Sequence, residues 1–380
     1  MDARVLLEAC EAAGIDLFTG VPDSQLAGLC DTLYVRYGVG SKRHVVAANE
    51  GNAIGLAAGH YLATGRPALV YMQNSGLGNA VNPLASLMDI QVYGLPCLLV
   101  IGWRGEPGVH DEPQHVKQGA ITLEQLALLD IPYAILDKAT DGATFAAMFA
   151  QLQGHMAHGR CAALVVRKGA LTCADKPRYA SRDAMTRERA AELLIQAAQE
   201  DIIVSTTGKL SRELFELRAR TGAGHQRDFL TVGSMGHASS IALGIALEKP
   251  RRRVWCLDGD GAALMHLGAM AVIGQRKPDN LRHVVINNGA HETVGGMPVC
   301  EGAVDLCALA RACGYPRVMC AEEESALAEA SSRMRDDACL TFLEVRCALG
   351  ARSNLGRPTA TPKENRDAFM AFVRKEEARE

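Results

Sequence analysis

Residues 256–298 are CLDGDGAALMHLGAMAVIGQRKPDNLRHVVINNGAHETVGGMP, and this stretch gives the clearest indication of how the chain folds. An apolar run at 253–257 ends at a Gly-Asp-Gly turn, and a second apolar run at 283–286 ends at an Asn-Asn-Gly turn. Each run is typical of a buried strand, and the segment 262–275 between them has the apolar spacing of a helix. This order predicts one β-α-β unit, whose two turns meet at the carboxyl edge of a parallel sheet.

Oxygen-bearing side chains lie in both turns. Asp260 is in the first turn, and Asn287 and Asn288 are in the second. Carboxylate and amide oxygens are hard ligands that suit Mg²⁺, a cation that also binds phosphate oxygens. A single Gly-Asp-Gly is most often only a turn, so the prediction of a cation site depends on the convergence of the two turns.

Length and composition limit the classes of protein to which the chain can belong. Its 380 residues are enough for two domains of ordinary size. A net charge of −3 is nearly balanced and indicates neither nucleic acid nor an anionic membrane as a partner. We expect no targeting leader and no membrane span, and therefore a cytoplasmic location.

The 12 cysteines are scattered along the chain without a CxxC pair. The one set that suggests a metal site is Cys300, Cys307, Cys313 and Cys320. Its spacing fits helix faces better than a zinc site. We expect reduced thiols in the core rather than disulfides or zinc ligands.

Two α/β halves are predicted, with a change of sequence character between them. Residues 1–175 alternate helices with short strands. Residues 176–190 are charged and lack periodicity, which indicates a linker. A second α/β domain is predicted at 191–350, and a linker with a charged helix at 351–380. Strands of the first half are predicted at 15–19, 44–48, 67–71, 97–101 and 163–166. The fold class is α/β, with two domains that are each a mainly parallel sheet flanked by helices.

Glu50 opens a helix of small residues directly after a predicted strand. A carboxylate at this position can simply interact with the helix dipole. It can also belong to a functional site, where burial among Gly and Ala would raise its pKa.

Two polar loops follow other strands of the first half. The turn 73–79 contains Asn74 and Ser75, and its glycines either cap a helix or admit close approach of the backbone. The loop 103–115 contains His110 and His115 among carboxylates. It is either a solvated loop or a set of groups for proton transfer or metal binding.

The second half has two comparable segments. Residues 206–209 lead into a predicted helix, whose N-terminus would bind an anion with Lys209 and Arg212, although both side chains fit ordinary surface charge equally well. Met235 lies in a Gly-Ser-Met-Gly segment before a helix of small residues. A buried methionine is most often part of a core.

The motifs together resemble the thiamine-diphosphate-dependent enzymes. The resemblance rests on Gly-Asp-Gly at 259–261, Asn-Asn at 287–288, and Asn-Glu-Gly-Asn-Ala at 49–53. It implies a pyrimidine-binding domain followed by a diphosphate-binding domain, with thiamine diphosphate and Mg²⁺ as cofactors. Mg²⁺ would be held by Asp260, Asn288 and the carbonyl of Ala290.

In this family, the glutamate that Glu50 matches hydrogen-bonds the aminopyrimidine ring of the cofactor and controls its tautomer. Met235 matches the apolar residue that keeps the cofactor bent. The resemblance also implies that the site lies between subunits of a homo-oligomer, since Glu50 and Asp260 would come from different chains. Further residues expected to contact the cofactor are Asn74, Ser75, Thr207, Gly208, Gly233, Ser234, Gly259, Gly261 and His291.

Most decarboxylases of this superfamily are longer and have a third domain, for which this chain has no room. The short architecture resembles the phosphonopyruvate decarboxylase family, as do the motifs at 20–24, 110–115, 233–236 and 287–291. This implies non-oxidative decarboxylation of phosphonopyruvate to phosphonoacetaldehyde and CO₂, in phosphonate biosynthesis. Residues 292–297 are Glu-Thr-Val-Gly-Gly-Met where the family pattern has Asp-Ser-Val-Gly-Gly-Gln. Candidates for substrate contact and proton transfer are Ser24, His110, His115 and His291, with Lys209 and Arg212 for the anionic head group.

Three alternatives remain open at this point. Sulfopyruvate decarboxylase is the close relative, and the departure at 292–297 bears on the choice of substrate. A carboligase or synthase would use the same cofactor to join two molecules. A non-catalytic subunit with the same fold is disfavoured by the intact Glu50, Asp260 and Asn288.

Overall fold

The computed structural model describes residues 1–181, 183–299 and 304–374, apart from the side chain of Thr293. The chain divides into two compact units. The first consists of Met1–Tyr179 with His291–Glu301, and the second consists of Ala180–Ala290 with Gly302–Glu380.

The first unit is built on a seven-stranded sheet with the order β2-β3-β1-β4-β5-β7-β6, in which β2 alone is antiparallel to its neighbour. The strands are β1 (Phe18–Gly20), β2 (Gly40–Ser41), β3 (His44–Val46), β4 (Ala68–Gln73), β5 (Cys97–Gly102), β6 (Tyr133–Leu136) and β7 (Ala162–Val166). The helices are α1 (Ala3–Ala12), α2 (Ala27–Tyr37), α3 (Glu50–Thr64), α4 (Leu77–Pro83), α5 (Pro113–Leu128) and α6 (Gly142–Ala157).

Both faces of this sheet are covered by helices. Successive residues of a strand point to opposite faces, so Leu98 packs with helices α1, α2 and α6, whereas Leu99 packs with α3, α4 and α5. The central strands β4, β5 and β7 are almost entirely buried. Continuous apolar runs are typical of parallel strands covered on both sides.

The second unit contains a six-stranded, fully parallel sheet with the order β14-β15-β11-β10-β8-β9. Strands from this point to the C-terminus are β8 (Ile202–Ser205), β9 (Asp228–Leu230), β10 (Val254–Gly259), β11 (Leu281–Asn287), β12 (Ala290–His291), β13 (Met297–Pro298), β14 (Arg317–Ala321) and β15 (Thr341–Arg346). The helices are α7 (Arg187–Ala198), α8 (Lys209–Thr221), α9 (Ala238–Glu248), α10 (Asp260–Met265), α11 (Gly268–Arg276), α12 (Leu306–Ala312), α13 (Glu324–Asp336) and α14 (Pro362–Arg374).

The predicted α/β class, with two mainly parallel sheets flanked by helices, is confirmed. The five strands predicted in the first half are present, with ends shifted by up to three residues, whereas β2 and β6 were not predicted. Both are edge strands, and β6 is only partly buried.

One prediction for the quoted stretch was wrong. The helix expected over 262–275 is two helices, α10 and α11, because His266 leaves the helical conformation. Gly268, which has a low helix propensity, begins the second helix. The predicted strand-turn arrangement on either side is present, since β10 and β11 are adjacent and parallel.

The described residues include no helix with the length and hydropathy needed to cross a bilayer.

Candidate active site

The polar turns of the first unit follow four adjacent strands, β3, β1, β4 and β5. Parallel strands place their following turns along one edge of the sheet, where ligands bind in open α/β folds. Glu50, Ser24, Asn74 and Arg104 each lie in or just beyond one of these turns.

Glu50 is the first residue of α3, and only 5% of its surface is exposed. Asn79 donates a hydrogen bond of 2.7 Å from Nδ2 to Oε2 of Glu50. Gly76 packs directly against the carboxylate, because a Cβ at residue 76 would lie 2.5 Å from Cγ of Glu50. Burial raises the pKa of Glu50, and the Asn79 hydrogen bond opposes the rise only in part. The side chain is therefore a buried carboxyl group suited to holding a proton.

Asn74 and Ser75 lie in the turn after β4, where both make hydrogen bonds within the first unit. Asn74 Nδ2 donates to the backbone oxygen of Arg104 at 2.8 Å and to Thr122 at 2.9 Å. Its Oδ1 accepts from the backbone N–H of Arg104 at 3.1 Å. Ser75 Oγ donates to Gln73 at 2.7 Å. Asn74 thus fixes the backbone of the loop after β5.

Asp111 organises that loop. Its carboxylate accepts two hydrogen bonds from the Arg104 guanidinium, at 2.7 and 2.5 Å, and one from the N–H of Gly105 at 2.9 Å. His115 Nδ1 lies 3.0 Å from Asp111 Oδ1. Although burial acts in the opposite direction, the hydrogen bonds from Arg104 and His115 hold the pKa of Asp111 well below its usual value.

The two histidines of this loop have different surroundings. His115 is buried at the start of α5 against Asp111, whereas His110 is exposed. Only His110 of the pair is therefore open to a small molecule in solution.

Ser24 is exposed in the turn after β1, and its Oγ accepts a hydrogen bond of 3.2 Å from Arg104 Nη1. Its neighbour Asp23 is buried and accepts from Gln73 Nε2 at 2.6 Å and from the N–H of Gln25 at 3.0 Å. Burial raises the pKa of Asp23.

Asp260 marks the corresponding edge of the second unit. It is the first residue of α10, and its Oδ1 accepts from the N–H of Gly261 at 2.7 Å. Its Oδ2 is buried and has no hydrogen-bond partner of normal geometry. Burial raises the pKa of Asp260 to about 6, against the opposing effect of the amides of Gly261, Gly289 and Ala290. The ends of β10 and β11 therefore converge on this carboxylate.

The two asparagines at the end of β11 contact different groups. Asn287 Nδ2 donates to Glu344 at 2.8 Å, and its Oδ1 accepts from the N–H of Gly289 at 2.9 Å. Asn288 Oδ1 accepts from the N–H of Ala290 at 3.1 Å, so it lies within the turn that approaches Asp260. Asn287 is thus occupied in holding the turn.

The turn after β8 contains Thr207 and Gly208, and it is tied to the turn after β9. Thr207 Oγ1 donates to the backbone oxygen of Val232 at 2.8 Å. Gly208 has φ of 97° before α8, a conformation that a side chain would strain. Lys209 and Arg212 lie in the first turn of α8 and are half-buried.

The segment after β9 contains Gly233, Ser234 and Met235. Ser234 is exposed and has a positive φ of 53°, whereas Met235 is half-buried. Gly259 ends β10 and Gly261 lies buried in α10, on either side of Asp260.

His291 belongs to the first unit, together with the residues that follow it. The turn Glu292–Val294 packs against the turn Ser24–Leu26 of that unit. His291 Nε2 is buried without a hydrogen-bond partner, and burial lowers the pKa of His291 to about 4. The histidine is therefore neutral at pH 7.

Cysteine side chains occur in two clusters of potential metal ligands, Cys256 with Asp258 and His283, and Cys307 with Cys320 and Glu344. Cys300 of the predicted set lies outside the described residues. All cysteines within the described ranges are free thiols.

Comparison with known proteins identifies the family. Residues 3–128 match the family model of the N-terminal TPP binding domain of thiamine pyrophosphate enzymes. Residues 207–345 match the model of the C-terminal TPP binding domain of the same enzymes. A phosphonopyruvate decarboxylase of Streptomyces viridochromogenes is 36% identical, in an alignment that covers 98% of this chain and 94% of that protein. The chain belongs to the phosphonopyruvate decarboxylase family of thiamine pyrophosphate enzymes.

Other members of this family and its neighbours match over similar lengths. The phosphonopyruvate decarboxylase of Streptomyces hygroscopicus is 34% identical and is covered to 94%, with 98% of this chain aligned. A sulfopyruvate decarboxylase of Methanosarcina acetivorans is 27% identical, in an alignment that covers 90% of this chain and 89% of that protein.

The residues present fit the cofactor of the thiamine pyrophosphate enzymes. Asp260 has a buried carboxylate oxygen without a hydrogen-bond partner. Such an oxygen is costly to bury alone and is free to coordinate a cation. Glu50 is a buried carboxyl with a raised pKa, packed against Gly76, where a side chain would collide with the carboxylate. Both units therefore contribute groups of the expected chemistry.

Several residues of these edges were missed in the sequence. Asp23, Asn79, Arg104 and Asp111 each have a defined role in the hydrogen bonding described above. Asp111 lies between the two histidines already singled out, so its proximity was a usable signal. No signal in the sequence indicated Asn79, because its hydrogen bond to Glu50 is a tertiary contact between α4 and α3.

Proposed function

We propose that the protein decarboxylates phosphonopyruvate to phosphonoacetaldehyde and CO₂, with thiamine diphosphate and Mg²⁺ as cofactors. The observation that carries the proposal is similarity to two phosphonopyruvate decarboxylases at 36% and 34% identity over almost the full length of each chain. The aldehyde would enter phosphonate biosynthesis.

Asp260 and Asn288, with the carbonyl of Ala290, would hold Mg²⁺ and through it the diphosphate. The buried, unpartnered Oδ2 of Asp260 supports this assignment, as does the approach of the Gly289 and Ala290 turn to the same carboxylate. Gly259, Gly261, Thr207, Gly208, Gly233 and Ser234 are proposed to line the diphosphate, and Met235 to contact the thiamine. A cation at this point removes the cost of the buried charge.

The cofactor supplies a carbon nucleophile and an acceptor for the electrons that the departing CO₂ leaves behind. The task of Glu50 is to hold a proton at its carboxyl group and share it with the cofactor's pyrimidine ring. Its raised pKa supports this task, since burial lowers the cost of keeping a proton on the carboxyl group. Asn79 keeps the carboxyl in place, while Asn74 and Ser75 are proposed to shape the adjoining turn.

Ser24, His110, His115 and His291 are the proposed groups for substrate contact and proton transfer. The exposed Ser24 and His110 can touch substrate directly. His115 contacts Asp111 and is proposed to act through it. His291 is neutral, and its proposed role is contact with the substrate, since burial disfavours its protonation. Lys209 and Arg212 were expected to bind the substrate's second anionic group.

We further propose a homo-oligomer in which Glu50 and Asp260 of one site come from different subunits. The substrate is a small 2-oxoacid, and neither nucleic acid nor a membrane takes part. A reducing compartment, the cytoplasm, suits the free thiols of the described cysteines.

The deciding experiment compares phosphonopyruvate, sulfopyruvate and pyruvate as substrates of the purified protein with thiamine diphosphate and Mg²⁺ added. The release of CO₂ and the formation of the aldehyde are both measured. With phosphonopyruvate as substrate, ³¹P NMR detects the aldehyde product. We expect the highest kcat/KM with phosphonopyruvate. Glu50→Gln should lose at least about 100-fold in kcat. Glu8→Gln, at an exposed position of α1, is the matched control and should keep the parental kcat.

A higher kcat/KM with sulfopyruvate would make the protein a sulfopyruvate decarboxylase, the candidate favoured by the Methanosarcina relative. A product with a new carbon–carbon bond in place of free aldehyde would contradict decarboxylation as the complete reaction. Calorimetry should detect thiamine diphosphate binding to Glu50→Gln but not to Asp260→Asn.

A further inference from the structure

A cavity of about 330 Å³ opens at the carboxyl edge of the first unit's sheet. It lies between the turns that follow β1, β5 and β7, and its lining includes Ser24, Arg104, His110 and Lys168. A volume of this size holds a small molecule. The cavity combines two predicted site residues with two cations that the sequence did not single out.

The carboxylates of the lining are already paired with arginines. Glu106 accepts a hydrogen bond of 2.7 Å from Arg167, and Asp111 accepts two from Arg104. Lys168 is exposed, and among the described residues no carboxylate lies within ion-pair distance of it; the nearby Glu106 and Asp137 both pair with Arg167. The ammonium group of Lys168 is therefore the charge that an incoming anion can bind.

Arg104 and Ser24 add directional groups to that charge. Arg104 uses Nε and Nη2 for Asp111, and its Nη1 donates to Ser24 Oγ at 3.2 Å. Because Ser24 Oγ accepts this bond, its own hydrogen is left to donate to a ligand oxygen. Both hydrogen bonds of Asn74 to the Arg104 backbone keep the arginine in position. Charge-assisted hydrogen bonds of this kind are strong and favour oxyanions.

We propose that this cavity binds the substrate's second anionic group, a phosphonate, through Lys168 and Arg104 with Ser24 as a further donor. The inference rests on the proposed function. It differs from the expectation at Lys209 and Arg212, which lie on α8 of the second unit. The phosphonate carries more negative charge than a sulfonate, so the charge of Lys168 bears directly on the choice between these substrates.

The first test compares Lys168→Gln with Lys117→Gln, an exposed lysine on α5 outside the cavity. With phosphonopyruvate, Lys168→Gln should lose at least about tenfold in kcat/KM, mainly through KM. With pyruvate, which lacks the second anion, it should match the parent protein. Lys168→Arg should retain most of the phosphonopyruvate activity, and Lys117→Gln should retain all of it.

Equal losses with both substrates, or no loss, would overturn the inference, as would a substrate-selective loss in Arg212→Gln but not in Lys168→Gln. A second measurement does not depend on turnover. Phosphonoacetate, a stable molecule with a phosphonate and a carboxylate, is titrated calorimetrically into the protein without cofactor. We expect binding to the parent and to Lys117→Gln, weakened at least about tenfold in Lys168→Gln.

The two readouts separate the failure of the inference from the failure of the proposed function. Turnover of phosphonopyruvate with unchanged kinetics in Lys168→Gln overturns the inference alone. Lysine-dependent binding of phosphonoacetate by a protein that does not decarboxylate phosphonopyruvate overturns the function and supports the anion site.

Discussion

Glu50, which we propose to serve the cofactor, is a residue whose burial costs stability. It is almost fully buried, and burial raises its pKa above the ordinary value of 4.5. An acid whose pKa is raised in the folded state adds stability below its unfolded pKa and loses that contribution as the pH rises through the folded pKa. At neutral pH the ionised carboxyl is therefore an unfavourable group in the fold.

We predict that Glu50→Gln raises the thermal stability of the cofactor-free protein at pH 7.5 while abolishing turnover. The amide keeps the shape of the side chain and removes the buried charge, and each 1 kcal/mol gained corresponds to roughly 2 to 4 °C in Tm. Because the advantage depends on ionisation, it should disappear at pH 4. Differential scanning calorimetry at both values measures it, with Glu8→Gln as control. A variant less stable than the parent at pH 7.5 would be evidence against a raised pKa.

A buried ion pair joins α8 to β9 in the second unit. Arg218 donates two hydrogen bonds of 2.9 Å to Asp228, and the side chains are 3% and 0% exposed. Burial raises the pKa of Asp228 even with this partner present. The pair connects the helix that begins after Gly208 to the strand that leads toward Met235. It therefore stabilises the two segments that we propose to contact the cofactor, without contacting the cofactor itself.

We predict that Arg218→Met lowers the free energy of unfolding by about 3–5 kcal/mol, because it leaves Asp228 charged and unpaired in the interior. Replacing both residues, as in R218M/D228L, should cost less than the single change. Urea unfolding at pH 7 followed by circular dichroism gives both values. If the double variant is the less stable of the two, the pair itself stabilises the fold and this account is wrong.

At the scale of the whole molecule, the question is whether one chain or two complete a site. The groups proposed for the pyrimidine lie in the first unit, and those proposed for magnesium lie in the second. If two chains share each site, two inactive variants can complement one another. Hybrid dimers of such variants contain one intact site and one with both defects.

We predict that co-expressed Glu50→Gln and Asp260→Asn chains recover about a quarter of parental activity, since half of randomly formed dimers are hybrids with one good site of two. Each variant alone should be inactive. Activity is measured on the co-expressed mixture and again after separate affinity tags isolate the hybrid, which should have about half of parental activity because one of its two sites is intact. Sedimentation velocity gives the assembly size. Absence of recovery in isolated hybrids would place each site within one chain.

The sequence by itself determined the α/β class, and it indicated the strand ends at which we propose the active site. Apolar runs, glycine turns and strand-end polar residues are local, so Asp260, Glu50 and the turn at Asn288 could be proposed as site residues without coordinates. Their resemblance to a family supplied the cofactor, and similarity over nearly the full chain supported it.

Only the tertiary structure decided which polar groups are partnered and which are open. Three features depend on contacts between segments that are separated in the sequence. They are the hydrogen bond from Asn79 to Glu50, the hydrogen bonds that Asp111 accepts, and the cavity beside Lys168. The apolar spacing also did not predict the break between α10 and α11, since that break depends on the backbone conformation of His266. The small residues around Glu50 in the sequence already indicated its burial and raised pKa, whereas the raised pKa of Asp260 depends on neighbours that only the packed structure reveals.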